Sequence, residues 1–222
     1  MIKKRKMKKL RNSLLLILVL MASLVSQAQA DLTLEFSQSM STEDADLKAM
    51  IDMMGTTETK LYMKGKLVRT EISNEIMGTT IAIYDGEKGE GITLMDLYGT
   101  KTYIAINDSS TIDEVDDMKY TIVRNKKKKK ILGYKCINYT ITDTVGTVIS
   151  ISVTEKLNSS NESQYGGEIK GQALYSESII KPDGAIITVV MEAKKVTEGE
   201  ISEKMFDMSI PEGYTLSTLD GF

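Results

Sequence analysis

The stretch GYKCINYTITDTVGTVISISV, from Gly133 to Val153, decides the fold of this chain. Apolar and polar residues alternate on both sides of a central turn, and a period of two residues places successive side chains on opposite faces of a strand. The apolar residues expected to meet across the turn are Ile137, Tyr139 and Ile141 on one arm and Ile149, Ile151 and Val153 on the other. This pattern predicts a β-hairpin in a sheet with one buried and one wet face.

The same two-residue alternation fills most of the chain outside this hairpin. Glycine-containing turns interrupt it at short intervals, as at Lys64-Gly65-Lys66 and Asp85-Gly86. Strands joined by such short turns are antiparallel neighbours, so the pattern predicts a meander. The closing segment EGEISEKMFDMSIPEGYTL is expected to anchor through Phe206, Ile210 and Tyr214.

Two segments change to the spacing of a helix. The first is predicted to begin at Ser41 or Thr42, either of which can cap it, and to end at Gly55. The second is predicted over 107–118. The first helix carries an apolar stripe at i, i+3, i+4 and i+7, formed by Leu47, Met50, Ile51 and Met54. A large sheet with such a helix over its apolar face is an α+β fold, in which the antiparallel sheet curves around the helix.

The first thirty residues form a separate unit. MIKKRKMKKLRNS is basic, the run from Leu14 to Val25 is apolar or small, and QAQA ends in an Ala28-x-Ala30 pattern. This order is typical of a secretory signal peptide, and the run is shorter than the roughly 20 residues that a membrane-spanning helix needs. The single cysteine, Cys136, lies too far downstream to carry a lipid anchor. We predict a signal peptide over 1–30 and one periplasmic or secreted domain over 31–222.

Removal of that leader makes the chain strongly acidic. Residues 1–30 hold seven of the 28 Lys and Arg, which leaves 28 − 7 = 21 bases against 31 acids and a net charge of −10. Nucleic-acid binders carry basic surfaces, so no nucleic-acid partner is predicted. The absence of histidine excludes Ser-His-Asp and Cys-His catalysis and an ordinary zinc site. The sequence therefore predicts a protein that is not an enzyme and needs no cofactor, with Cys136 buried in a strand.

Methionines cluster on the first predicted helix, at Met50, Met53 and Met54. Thioethers bind Cu(I), so copper binding is one hypothesis. Methionine also fills cores and lipid grooves, and the membership of Met50 and Met54 in the apolar stripe favours packing. The acidic clusters STEDAD and IDEVDD lack the alternating spacing of a calcium loop. No residue is therefore assigned as a metal ligand.

A basic run is the strongest charge feature of the chain after residue 30, and it is predicted to interrupt a strand that begins at Lys119. One hypothesis is contact with anionic lipid headgroups or a membrane surface, where each basic residue contributes on the order of 1 kcal/mol. The alternative is a solvated turn whose lysines prevent pairing between sheet edges. The run consists of Arg124, Lys126, Lys127, Lys128, Lys129 and Lys130.

Three short motifs carry a resemblance to a known group of proteins. They are KGKLVRTEI in the early meander, ILGYKCINY in the central strand and MFDMSIPEGY near the end. In order and spacing they resemble secreted bacterial domains of unknown function that are similar to the LolA and LolB outer-membrane lipoprotein carriers. That resemblance implies a strongly curved antiparallel half-barrel in the periplasm of a Gram-negative cell, with short helices over an apolar concave face. It also implies an arginine near the mouth of the hollow, at Arg69.

These observations predict a binding module that holds a lipid, the acyl chain of an acylated protein or another apolar ligand without covalent chemistry. The candidate lining is the helical stripe together with Arg69, and the basic run is the candidate headgroup or membrane-surface contact. The alternative is an envelope structural or interaction protein whose core is full. Cu(I) binding by the methionine cluster is the third hypothesis.

Overall fold

The structure of the protein is a computed structural model that describes residues 31–106, 120–144, 146–157, 169–181 and 184–217. The predicted signal peptide and the helix predicted over 107–118 lie outside these residues. Within them, one α-helix, α1 (Ala45–Met54), and one 3-10 helix (Glu203–Phe206) accompany a single sheet.

The sheet has 12 strands in the order β12-β6-β5-β4-β3-β2-β1-β11-β10-β9-β8-β7. Neighbours are antiparallel except β12, which runs parallel to β6, so the sheet is mixed and open. The strands are β1 Leu32–Thr42, β2 Thr57–Lys64, β3 Leu67–Asn74, β4 Gly78–Asp85, β5 Glu90–Leu97, β6 Thr100–Ile106, β7 Tyr120–Ile131, β8 Tyr134–Asp143, β9 Val148–Thr154, β10 Gln172–Ile180, β11 Ile187–Glu198 and β12 Thr215–Leu216. A large, mostly antiparallel sheet with a helix confirms the coarse α+β prediction.

The hairpin quoted from the sequence is formed by β8 and β9. Tyr139 pairs with Ile151 and Ile141 with Ile149, as the alternation predicted. The early meander is also confirmed, because β2 to β6 are consecutive neighbours. The two halves of the chain meet at β1, which pairs with β2 on one side and with β11 on the other.

The predicted interruption at the basic run is wrong. β7 continues through all five lysines, and Lys128 pairs with Ile137 and Lys130 with Lys135. The register shifts between Asn125 and Lys128, so the irregularity is a bulge inside the strand. The five lysines are tolerated here because β7 is the last strand of the sheet and their side chains are exposed to water.

The predicted cap of α1 is also wrong. β1 continues through Thr42, so the residue before the helix is Asp44, whose Oδ1 accepts hydrogen bonds from the amides of Asp46 and Leu47 at 3.0 and 3.1 Å. Thr42 supports this turn differently. Its hydroxyl donates to the carbonyl of Ile186 at 2.6 Å and accepts from the amide of Asp44 at 3.1 Å. The predicted end at Gly55 is confirmed.

Candidate functional site

α1 lies on the apolar face of the sheet near its centre. Ile51 is only 3% exposed and belongs to a cluster with Ile187 and Val189 of β11. Leu47 and Met54 pack against this cluster from the helix. Met40 of β1 and Ile180 of β10 complete it. Leu47, Ile51 and Met54 of the predicted stripe therefore face the sheet, and Ile51 is the deepest of them.

The rim around Ile51 is only partly covered. Leu47, Met50 and Met54 of α1 are half-buried, as are Met40 and Ile180 beneath them. These five residues, called the apolar rim below, form a partly accessible apolar margin of flexible and branched side chains. Met53 lies on the same helix but is 63% exposed and stands apart from the cluster. The apolar rim is the part of this site that another apolar molecule can reach.

Both ends of α1 are fixed by polar contacts. Asp44 caps its beginning, and Asn74 at the end of β3 holds its last turn. Asn74 Nδ2 donates to the carbonyl of Met54 at 2.8 Å and lies 3.1 Å from the Thr57 hydroxyl oxygen. Asn74 Oδ1 accepts from the amide of Ile76 at 2.9 Å. Because Asn74 is buried, these bonds form where water competes weakly, and they hold α1 at its distance from the sheet.

The C-terminal strap, residues 199–217, covers the opposite face of β2 to β6. Its buried anchors Ile201 and Phe206 form one cluster with Ile83, Ile92 and Leu94. Tyr214 packs against this cluster, as predicted, whereas Ile210 is exposed, so the prediction of Ile210 as an anchor is wrong. The sheet therefore carries apolar side chains on both faces here, although the sequence predicted one wet face.

Arg69 lies on the strap side of the sheet. It pairs with Tyr62 and Ile83, whereas its neighbour Thr70 pairs with Leu61 on the α1 side. Adjacent residues of a strand point to opposite faces, so the structure does not bring Arg69 to α1. Its Nη1 donates to the carbonyl of Met205 at 2.9 Å, and its Nε donates to Glu71 Oε1 at 2.7 Å. A ligand contact by Arg69 stays a prediction, and its visible role is to hold the strap.

Replacement of Arg69 by methionine should loosen the strap. Arg69→Met keeps the stem but removes the bonds to Met205 and Glu71, and hydrogen bonds made by charged groups contribute about 1.5–3 kcal/mol each. We expect the free energy of unfolding, measured in urea, to fall by about 2 kcal/mol, with faster amide exchange around Ile201. Arg124→Met, at an exposed arginine of β7, is the matched control. Equal unfolding midpoints for the two variants would contradict this role of Arg69.

An open pocket of about 550 Å³ lies where the strap meets the end of β2, lined by Lys64 and residues 200–204. The ammonium of Lys64 donates to the carbonyl of Ile201 at 2.7 Å and lies 3.4 Å from Asp31 Oδ2. The ammonium of Lys64 in this pocket therefore already has partners, and it holds the strap where the strap meets β2. No sequence pattern indicates this pocket, because its lining comes from distant segments.

The basic run lies at the far edge of the sheet. Arg124 and all five lysines are exposed, and Lys129 Nζ lies 3.7 Å from the centroid of the Tyr175 ring on β10. This group is separate from the apolar rim. Contact of these residues with headgroups or a membrane surface stays a prediction.

Cys136 is buried, as predicted, with 1% of its surface exposed. Burial raises the pKa of its thiol, although a hydrogen bond from the backbone of Ile131 and the nearby charge of Lys129 act in the opposite direction. A buried thiol with a raised pKa is a poor nucleophile, so this cysteine fits a packing role.

A metal site and a membrane-spanning helix are not found among the described residues. No group of three or more His, Cys, Asp or Glu side chains there is arranged to hold a metal ion. No helix in the described ranges combines the length and apolar character needed to cross a bilayer.

No family model and no curated protein matches the chain. Solved structures do match. An uncharacterized conserved protein of Thermus thermophilus is 7% identical with a TM-score of 0.50, over 91% of this chain and 98% of that one. A LolA superfamily protein of Nitrosomonas europaea is 7% identical with a TM-score of 0.30, over 84% and 94%. A LolA superfamily protein is thus among the structures that this chain resembles, as the sequence predicted.

Other matches are to longer proteins. MucB in complex with MucA(peri) is 10% identical with a TM-score of 0.43 over 86% of this chain, and PNGF-II is 15% identical with a TM-score of 0.44 over the same share. The chain spans 58% of that MucB chain and 32% of PNGF-II. Identities this low describe fold alone, so activity, ligand and partner must be argued from the residues of this chain.

Proposed function

We propose that this protein is a non-enzymatic binding module of the bacterial envelope that holds a lipid acyl chain, free or attached to a protein, against the sheet beside α1. The observation that carries the proposal is the apolar rim, whose five side chains are half-buried. Four of them pack against the cluster of the buried Ile51, namely Met40, Leu47, Met54 and Ile180. Leucine and methionine there offer an adaptable apolar surface, of the kind that accepts flexible chains without specific polar contacts.

Curvature of the sheet is part of this proposal, because a concave face would shelter an acyl chain. The strand order separates β6 from β7 by ten strand spacings, about 48 Å in a flat sheet. Residues 107–119 join Ile106 to Tyr120 in fourteen Cα steps, which reach at most about 50 Å. Ten antiparallel steps also make β6 and β7 parallel, so in a flat sheet the connection would have to travel along the strands as well. This length favours a sheet whose edges approach one another.

The remaining parts of the proposal come from the sequence. An N-terminal leader of signal-peptide pattern supports an envelope location, and the lack of histidine supports binding without catalysis. No cofactor is needed for the burial of an acyl chain, because the hydrophobic effect alone drives it.

The test uses purified protein and native mass spectrometry, followed by titration of the delipidated protein with a fluorescent long-chain fatty acid. We expect a co-purified lipid and saturable binding. Leu47→Gln with Met50→Gln should weaken binding about tenfold or more, because each of these side chains loses apolar contact. Met53→Gln, on the exposed side of α1, should bind like the unaltered protein. A bare mass together with no fatty-acid binding would refute the proposal.

One observation favours the second candidate, an interaction module with a full core. Ile51, Ile187 and Val189 are all buried in mutual contact, so the space directly beneath the middle of α1 is occupied by side chains. Under this alternative the apolar rim packs against a partner protein. Failure of lipid binding combined with self-association or partner binding that Met50→Gln abolishes would support it.

A further inference from the structure

β7 is an unusual edge strand. Edge strands of natural sheets are short or otherwise protected, because their outward main-chain groups can pair with another chain. β7 has 12 residues, as many as β11 in the interior of the sheet, and no described strand pairs with its outer side. At the other end of the sheet, the chain covers β6 with its own β12, and the amide of Ser217 donates to the carbonyl of Tyr103 at 2.8 Å. The chain therefore pairs one edge of the sheet with its own β12, whereas no described strand pairs with the other edge.

The charge of β7 is also unbalanced. Six cations stand within the seven residues from Arg124 to Lys130, and β7 contains no acid. No described carboxylate lies within ion-pair distance of any of them, although the chain as a whole carries 31 acids against 28 bases. A single inward-pointing charge or a bulge is enough to prevent aggregation between sheet edges, and β7 already has a bulge. Protection against aggregation therefore does not explain six cations.

The cations lie on both faces of the strand. Lys128 and Lys130 lie on one face of β7, and Lys129 lies on the other. The ammonium of Lys129 lies over the ring of Tyr175, which belongs to β10, three strands further into the sheet. A planar lipid surface is best met by charges that point in one direction. A strand added beside β7 has side chains on both faces and meets cations on each of them.

We propose that β7 is a docking edge for an extended acidic segment of a partner protein, which adds to the sheet as an antiparallel or parallel strand. Main-chain hydrogen bonds to the outer side of β7 supply pairing, and glutamate or aspartate side chains on both faces of the added strand neutralise the lysines. A second copy of β7 is an unsuitable occupant, because its lysines would face these lysines. This proposal is independent of the apolar rim.

The experiment titrates the purified protein with a synthetic ten-residue peptide in which pairs of adjacent glutamates are separated by Thr-Val pairs, so that an extended strand carries glutamates on both faces. Two further probes are the same peptide methylated on every main-chain nitrogen, which leaves no N–H donor on either edge, and phosphatidylglycerol vesicles. We expect saturable peptide binding that weakens with salt, protection of β7 amides from hydrogen exchange, and at least tenfold weaker binding of the methylated peptide.

Two variants with the same change of charge separate this edge from general attraction. Lys126, Lys127, Lys128, Lys129 and Lys130 all changed to Gln should weaken peptide binding about tenfold or more. The control changes five exposed lysines elsewhere to Gln, namely Lys60, Lys66, Lys156, Lys170 and Lys181, and should bind normally. Any one of four results would overturn the proposal: no peptide binding, equal binding of the methylated peptide, equal weakening in both variants, or binding to vesicles alone. Circular dichroism confirms that each variant is folded.

Discussion

Phe36→Ala is expected to lower the free energy of unfolding by about 3–5 kcal/mol, enough to unfold a large fraction of a marginally stable domain. Phe36 lies in β1 and is 1% exposed. It pairs with Thr59 of β2 and Ala193 of β11, so its ring fills space where the two halves of the chain meet. The residues around it belong to the central strands, which cannot collapse into the cavity without moving the whole sheet.

Urea unfolding followed by circular dichroism measures this effect. Phe36→Leu retains most of the apolar volume and should cost roughly 1–1.5 kcal/mol, which separates the loss of volume from the loss of the ring. Ser39→Ala, at an exposed position of the same strand, should change stability by less than about 0.5 kcal/mol. A cost for Phe36→Ala as small as that of Ser39→Ala would show that β1 is not the centre of the core.

Local features of this fold were predictable because they depend on nearby residues. The β8–β9 hairpin follows from alternation on both sides of a turn, and the stripe of α1 follows from its helical spacing. The early meander follows from glycine turns that leave no room for a crossover. In each case, the pattern that predicts the element lies within a short stretch of the sequence.

Features that depend on distant segments were missed. The pairing of β1 with β11 joins residues more than 140 positions apart, and no local pattern encodes it. The strap covers the second face of β2 to β6, and that coverage explains why Arg69 contacts the backbone of Met205. The place of an edge strand in the sheet was unknown, so the basic run was interpreted as a break although an edge position tolerates lysine.

The candidate site was predicted in part. Helical spacing identified the stripe residues that face the sheet, but spacing alone did not show which of them is fully buried. That distinction depends on Ile187 and Val189, which come from β11 at the far end of the chain. The resemblance to a carrier family suggested Arg69 as a neighbour of the stripe, and the register of β2 and β3 places it on the other face. Strand register is set by tertiary pairing and is not visible in a short motif.

The second large effect is expected at Gly78, the first residue of β4. Its φ of +108° is rare for residues with a side chain, and a Cβ there would collide with the backbone carbonyl of Asp96 on β5. Gly78 pairs with Leu97 of β5 and with Asn74 of β3, so the clash falls inside a ladder that cannot shift at one residue. We expect Gly78→Ala to lower the free energy of unfolding by about 3 kcal/mol or more, from backbone strain and the displacement of β5.

Gly89 provides the matched control for this substitution. It lies in the turn before β5 with a φ of +71°, and a Cβ there meets no atom within 4 Å. Gly89→Ala therefore carries the strain of a positive φ without a clash and should cost about 1 kcal/mol. The difference between the two urea midpoints isolates the close approach of β4 to β5. If both variants lose the same stability, the closeness of Gly78 to Asp96 is not what requires glycine. If Gly78→Ala loses more, the added cost measures how firmly β5 is held beside β4. Asn74, the pairing partner of Gly78, also holds the last turn of α1. Gly78→Ala should therefore also speed up amide exchange in α1.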